Sequence, residues 1–175
     1  MGARAAGRAA RAQSLTRLVL AAVGRLKAGP ERELFDRYAK RAAALAGSVG
    51  LSGVSFRECD ESRAKTAPER RAGEARALLE AAAKADVLCA LDERGAALTS
   101  PAWAAEIAAA RDAGRATYAV LIGGPDGLDP EIARAAQRVL SFGGLTWPHQ
   151  LIRVMAAEQI YRCLTILARH PYHRA

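Results

Sequence analysis

What this sequence lacks sets its first limits. No apolar run approaches the roughly 18 residues that a membrane-crossing helix requires, although hydrophobic residues make up 51% of the chain. The Arg/Ala-rich start has no apolar stretch ahead of a cleavage site, which argues against secretion and for the cytoplasm. Cysteine is scarce, and Cys59, Cys89 and Cys163 form no C-x-x-C. They read as reduced, mostly buried thiols. With no His/Cys pairing at ligand spacing, no structural zinc is expected. Nucleotide fingerprints are missing too. The first strand candidate runs into Gly24-Arg25-Leu26-Lys27 instead of G-x-G-x-x-G, and no Gly-Lys-Ser/Thr follows any glycine loop. Nicotinamide cofactors and P-loop nucleotides are therefore disfavoured.

Acidic residues are absent from the first 30 positions, which carry Arg4, Arg8, Arg11, Arg17, Arg25 and Lys27. The middle of the chain is nearly balanced. The last 25 residues set Arg153, Arg162, Arg169 and Arg174 against Glu158 alone. A net charge of +8 gathered at the two ends suits a polyanion such as nucleic acid, and equally serves solubility. Residues 1–14 (MGARAAGRAARAQS) are low in complexity. They read as a disordered basic extension, as sequence upstream of the true start, or as a basic arm on RNA. Residues 15–175 are long enough for one domain with a core of its own.

From Leu15 onward, strand and helix signals alternate. Leu18–Val23 is a short apolar run of strand length, and Gly29-Pro30 leads into a helix over residues 31–46 with Leu34, Tyr38, Ala42 and Leu45 on one face. Residues 54–56 form a weaker strand candidate. Residues 60–68 read as a loop, 69–85 as a helix and 86–91 as a buried strand, followed by a turn at 92–95. Thr99-Ser100-Pro101 supplies a hydroxyl N-cap with proline in the first turn of a helix that ends at Gly114. Residues 117–122 (TYAVLI) are the clearest strand. Asp129-Pro130 begins another helix, 138–142 a brief strand, and residues 149–169 a long final helix. This alternation predicts an α/β fold with a largely parallel sheet, whose ligand site lies beyond the carboxyl ends of the strands.

Three turn-rich segments fall at those ends: 92–95, 123–127 and 143–148. Glycine pairs directly after strands, Gly123-Gly124 and Gly143-Gly144, read either as ordinary turn chemistry, which spacing alone favours, or as close backbone approach to a ligand or to another segment of the chain. The apolar loop Leu145-Thr146-Trp147-Pro148 offers main-chain amides and carbonyls suited to an adenine edge.

Together these segments make the chain recognisable. Residues 121–128 (LIGGPDGL) resemble the LIGGPEGL-type motif of the RlmH family, and residues 145–154 (LTWPHQLIRV) its LTLPHxLxRV segment. Glu158-Gln159-Ile160-Tyr161-Arg162 and the tail His170-Pro171-Tyr172-His173-Arg174 are similar to its E-x-x-Y-R and HPYHR elements. The likeness runs from about Arg17 to the C-terminus. It implies a SPOUT-type α/β fold with a C-terminal trefoil knot, a homodimer, and S-adenosylmethionine as methyl donor. It further implies methylation of N3 of a pseudouridine in the large-subunit (23S) ribosomal RNA, on the assembled ribosome. Carried over by position, the cofactor site comprises Leu91, Gly123, Gly124, Phe142, Gly143, Gly144, Leu145, Thr146 and Trp147. At Gly143-Gly144 and Trp147 the family often carries bulkier and smaller residues respectively.

Methyl transfer from a sulfonium needs no metal; it needs alignment, and a partner for the proton that leaves the imide nitrogen. All three histidines, His149, His170 and His173, lie near the end of the chain among arginines and tyrosines. His173, Arg174, Tyr172 and Arg153 are the candidate catalytic residues. The plainer roles are a helix start for His149, an i,i+4 ion pair for Glu158 and Arg162, and helix C-terminal charge for Arg169. The apolar positions of the last helix read as core and dimer interface. A ribosome-binding assembly factor of the same fold without catalysis is the alternative function. Deleting residues 1–14 is expected to leave the melting temperature and cofactor affinity unchanged, because this stretch has too little apolar content to pack. A large drop in melting temperature would show that it does pack, and a loss confined to ribosome affinity at low salt would mark a basic arm.

Overall fold

The computed structural model describes residues 15–173; the basic extension 1–14 and Arg174 lie outside the described residues. Five strands and five helices alternate: β1 Arg17–Val23, α1 Pro30–Leu45, β2 Gly53–Cys59, α2 Ala67–Ala81, β3 Val87–Ala97, α3 Ser100–Asp112, β4 Thr117–Ile122, α4 Pro130–Ala135, β5 Arg138–Ser141 and α5 His149–Leu167. A single 3-10 turn, Ala46–Val49, follows α1. The strands form one sheet in the order β2-β1-β4-β3-β5, and every pairing is parallel. This is the α/β architecture that the alternation predicts.

Side-chain alternation along β1 shows how the sheet is covered. Leu18, Leu20 and Ala22 pack into a core with Phe35 of α1, Ile107 of α3 and Ile160 of α5. Val19, Ala21 and Val23 face the other way, onto Leu78 of α2 and Ile132 of α4. Burial on both faces explains why β1 and β4 read as continuous apolar runs. The helix starts follow local chemistry. Thr66 and Glu69 make a capping box on α2, Thr99 accepts the Ala102 amide on α3, and Asp129 accepts the Glu131 amide on α4. All three cysteines are buried, and burial pushes the Cys89 and Cys163 thiols up to about 12.

One segment departs from the sequence reading. Residues 92–95, expected as a turn after the third strand, lie inside β3. That strand pairs with β5 at Cys89–Leu91, breaks register, and resumes at Ala96 and Ala97. The four residues form a bulge that keeps the strand running. Gly95 is required there, since a Cβ would fall 2.5 Å from the Leu140 carbonyl carbon. Turn-type residues in a bulge and in a loop look alike in a sequence.

The core holds one buried polar pair between α3 and the sheet. The Trp103 indole N–H donates to the Tyr118 hydroxyl at 3.1 Å, with both residues almost wholly buried. Tyr118→Phe strands that N–H, at a cost of about 1–3 kcal/mol. The expected result is a melting temperature lower by roughly 3–10 °C in a calorimetric scan.

Candidate active site

The carboxyl ends of β4, β3 and β5 open onto a cleft of about 570 Å³, a size common among small-ligand sites. Leu91, Gly123, Gly124, Phe142, Gly143, Leu145, Thr146 and Trp147 all line it; of the residues expected to hold the cofactor, only Gly144 does not. The wall at the β5 end is loop 143–147. Among the described residues, the main-chain groups of 144–147 make no hydrogen bond. They are available to a ligand, as unpaired peptide groups in a loop seldom are once covered. The Ser141 hydroxyl pins the start of the loop by donating to Gly143 O at 2.9 Å.

The two glycine pairs have different causes. A Cβ on Gly123 would lie 2.7 Å from the backbone of Gly127 and Leu128, and one on Gly124 would lie 2.8 Å from Glu74 Oε2 and 3.0 Å from Val23 Cγ1. Close approach is required at both, and the neighbour that requires it is the protein's own loop, strand and α2 side chain. Gly143 has φ +111°, a conformation that favours glycine, while the space beside Gly143 and Gly144 is open. At Gly144 a side chain would meet no steric obstacle, whereas at Gly143 the backbone conformation itself disfavours one. Loop 123–127 is held further by Arg70, which donates two hydrogen bonds to Asp126 at 2.6 and 3.0 Å.

Polar side chains around the cleft are mostly engaged. Arg94 is paired with Asp92 at 3.0 Å. The Nε2 atom of His149 lies 3.0 Å from Val23 O and 2.9 Å from the Arg153 Nη2. Arg153 itself is buried. Its guanidinium donates to Gly24 O at 2.9 Å and to Val23 O, and it faces Glu58 at 3.6 Å. Burial lowers its proton affinity, and Glu58 and Glu61 oppose that. For Glu58, burial alone would raise the carboxyl; the Leu26 amide and the Arg32 guanidinium outweigh it and hold Glu58 below the usual carboxylate value. Arg153 was expected at the reacting atoms. In the structure it ties the first two turns of α5 to the end of β1.

The tail forms a separate cluster. Beyond α5 the chain turns at Arg169, φ +54°, and the His170 amide donates to Thr165 O at 2.8 Å. The Tyr172 hydroxyl donates to Glu158 Oε1 at 3.0 Å, and its ring lies 4.8 Å from that of Tyr161 with the Arg162 guanidinium 5.0 Å above it. Arg162 donates to the same Glu158 oxygen at 2.9 Å. Burial, Tyr38 and Glu158 together push the Tyr172 phenol well above its usual value. His173 Nδ1 is buried without a hydrogen-bond partner among the described residues. None of 170–173 lines the cleft. Glu158 and Arg162, read as a plain helix ion pair, thus hold the tail tyrosine. Their i,i+4 spacing was visible, but not the third partner.

A second groove, also about 570 Å³, runs between α1, α3 and α5 past Leu34, Tyr38, Trp103, Met155 and Glu158. Leu140, Ser141, Phe142 and Gly143 line both it and the cleft, so these four residues are the wall between them. No group of three or more metal-ligating side chains occurs among the described residues, and no helix there is long and apolar enough to cross a membrane.

The glycine geometry predicts a graded response. Gly123→Ala forces its methyl group against rigid backbone and should lower the melting temperature by about 5 °C. Gly144→Ala, with open space around it, should leave it within about 1 °C. Thermal denaturation of the two variants is the check.

Comparison with known proteins agrees with this architecture. The family described as "Predicted SPOUT methyltransferase" matches residues 16–173. The chain is 57% identical over 159 residues to the ribosomal RNA large subunit methyltransferase H of Methylobacterium radiotolerans, covering 90% of this chain and 97% of that one. The protein of the same name from Rhodopseudomonas palustris is 52% identical, with 91% and 99% covered. Among solved structures, a probable methylase family protein from Haemophilus influenzae Rd KW20 aligns with 93% of this chain and 72% of its own, at 12% identity and a TM-score of 0.47. With a family match across nearly all of the described residues and relatives at about half identity over their whole length, this chain belongs to the SPOUT methyltransferases, in the group of the ribosomal RNA large subunit methyltransferase H proteins.

Proposed function

We propose that this protein transfers a methyl group from S-adenosylmethionine to N3 of a pseudouridine in large-subunit (23S) ribosomal RNA. It works as a homodimer on the assembled ribosome in the cytoplasm. The observation that carries the reading is the cleft, built from the two segments that resemble the family's motifs and walled by the unengaged main chain of 144–147. Its volume and its mixture of apolar floor and free peptide groups fit the cofactor. Leu145, Thr146 and Trp147 would hold the adenosine, and Leu91, Gly123 and Phe142 would form the floor beneath it. When bound, the cofactor supplies a methyl group activated by a sulfonium, with no metal required.

The remaining work falls to the tail. His173 is the candidate acceptor for the imide proton, a general-base role that histidine often fills. The guanidinium of Arg174 can hold phosphate or the imide anion, and Tyr172 can stack on a base. Within one chain the tail is tied to Glu158, nine residues along α5 from His149 and hence about 14 Å away along the axis. The tail of a second copy would complete each cleft. Support for the dimer comes from the exposed apolar residues. Leu145, Trp147 and Leu151, exposed by 71, 38 and 37%, crowd the rim of the cleft and the start of α5. Arg153 acts as a positioning residue. The trefoil knot belongs to this reading as well. After β5 the chain returns across three strand positions to bind the end of β1, the course that a knotted crossing would take. Residues 15–175 form one domain, with 1–14 as an extension.

Methyl incorporation into ribosomes from a strain lacking the modification tests the activity; no incorporation at saturating cofactor would refute it. Deleting 170–175 should abolish incorporation while calorimetry still shows cofactor binding. A truncated protein that is monomeric and no longer binds cofactor would make the tail a structural element only. A wild-type protein that binds ribosomes but no cofactor would favour the assembly factor.

A further inference from the structure

Arg71 is the cleft's uncommitted cation. It reaches the cleft from the first turns of α2. The other basic side chains there are engaged: Arg94 by Asp92, and His149 by Val23 O and Arg153. Asp126, the carboxylate nearest to hand on the loop, is already gripped by both arms of Arg70. Arg71 has no ion-pair partner among the described residues, and its Nε is buried without an acceptor. What points to a ligand is a guanidinium that lines the cleft with no carboxylate paired to it, since such a group can hold an anion through charge-assisted hydrogen bonds.

Position narrows the ligand. The cleft crosses the strand order β4-β3-β5. Loop 143–148 leaves β5 and returns to β1 at His149, with Phe142 and Gly143 at its β5 end, while Arg71, Gly124 and Asp126 belong to α2 and the loop after β4. Strands β5 and β4 are separated by about two strand spacings, roughly 10 Å. An adenosyl group seated in the cleft beside this loop has room to extend its amino-acid end toward α2. We infer that Arg71 binds the α-carboxylate of the methionyl end of the cofactor through a charge-assisted hydrogen bond from its guanidinium. This rests on the cofactor reading proposed above. Arg71 is not a catalytic residue; it anchors the far end of the donor, so that the sulfonium between carboxylate and adenosine is fixed from both sides.

Two ligands separate this role from its rivals. S-adenosylhomocysteine carries the carboxylate, and 5′-methylthioadenosine has the same adenosyl thioether without the amino-acid tail. Calorimetry on the full chain should show Arg71→Gln weakening S-adenosylhomocysteine by about tenfold or more, with 5′-methylthioadenosine held within about twofold. Arg71→Lys should fall between Arg71→Gln and the wild type. The ratio of the two affinities on one variant is independent of any loss of folded protein. Equal losses for both ligands would overturn the inference and make Arg71 a support of the loop or of Glu74, whose Oε2 also lacks a partner. Unchanged binding of both, with weaker ribosome binding, would also overturn it and assign Arg71 to an RNA phosphate. A wild-type protein that binds neither ligand would instead fail the cofactor reading itself.

Discussion

The anchoring of α5 to the end of β1 by Arg153 is the constraint on which the ligand-binding end of the molecule depends. A parallel strand that ends beneath a loop leaves its last carbonyls without ladder partners, and buried carbonyls require donors. Val23 O and Gly24 O find theirs in the guanidinium of Arg153. The charge needs compensation in turn, and Glu58, at the end of β2, supplies it while bound to Arg32 and the Leu26 amide. One buried cation thus joins β1, β2, α1 and α5. Removing Glu58 would leave the buried Arg153 guanidinium without its facing carboxylate, a destabilising change. The loop that precedes α5, 143–148, is thus tied at both ends, by the Ser141 hydroxyl on Gly143 and by His149 and Arg153 on β1.

Most of the fold was legible because the elements carry strong local signals. The apolar runs of β1 and β4, the Thr99 and Asp129 caps and the glycines after the strands locate elements to within a few residues. The bulge at 92–95 was not legible, since Asp-Glu-Arg-Gly suits a turn and a bulge equally, and only pairing with β5 distinguishes them. In the site, the residues around the cleft were recoverable from motif resemblance. The reason for each was not. Gly123 and Gly124 are small because Gly127 and Glu74 stand behind them. Arg153 carries the marks of a catalytic arginine in sequence, and only burial and two carbonyl partners show its task. Arg71 sits in a run of ordinary helix-surface residues and gave no signal at all.

The tail and the cleft are held by different stretches of one helix, the cleft side by His149 and Arg153 and the tail by Glu158. Tyr172 closes back on α5 through Glu158, Arg162 and Tyr161, so its ring and hydroxyl have fixed partners within the chain. The cleft is likewise set, by Arg70 on Asp126 and by the glycine contacts. Leu145, Trp147 and Leu151 are exposed in the loop before α5 and in its first turn, and the tail lies at the far end of the same helix.

The partition formed by Leu140, Ser141, Phe142 and Gly143 is one stretch of chain with a cavity on either side. Phe142 leans on Trp103 on one side, with ring centroids 6.4 Å apart, and borders the cleft on the other. A wall one residue thick has no independent faces. A ligand that displaced Phe142 from the cleft side would redraw the groove behind it, and thermodynamic linkage would make that effect reciprocal.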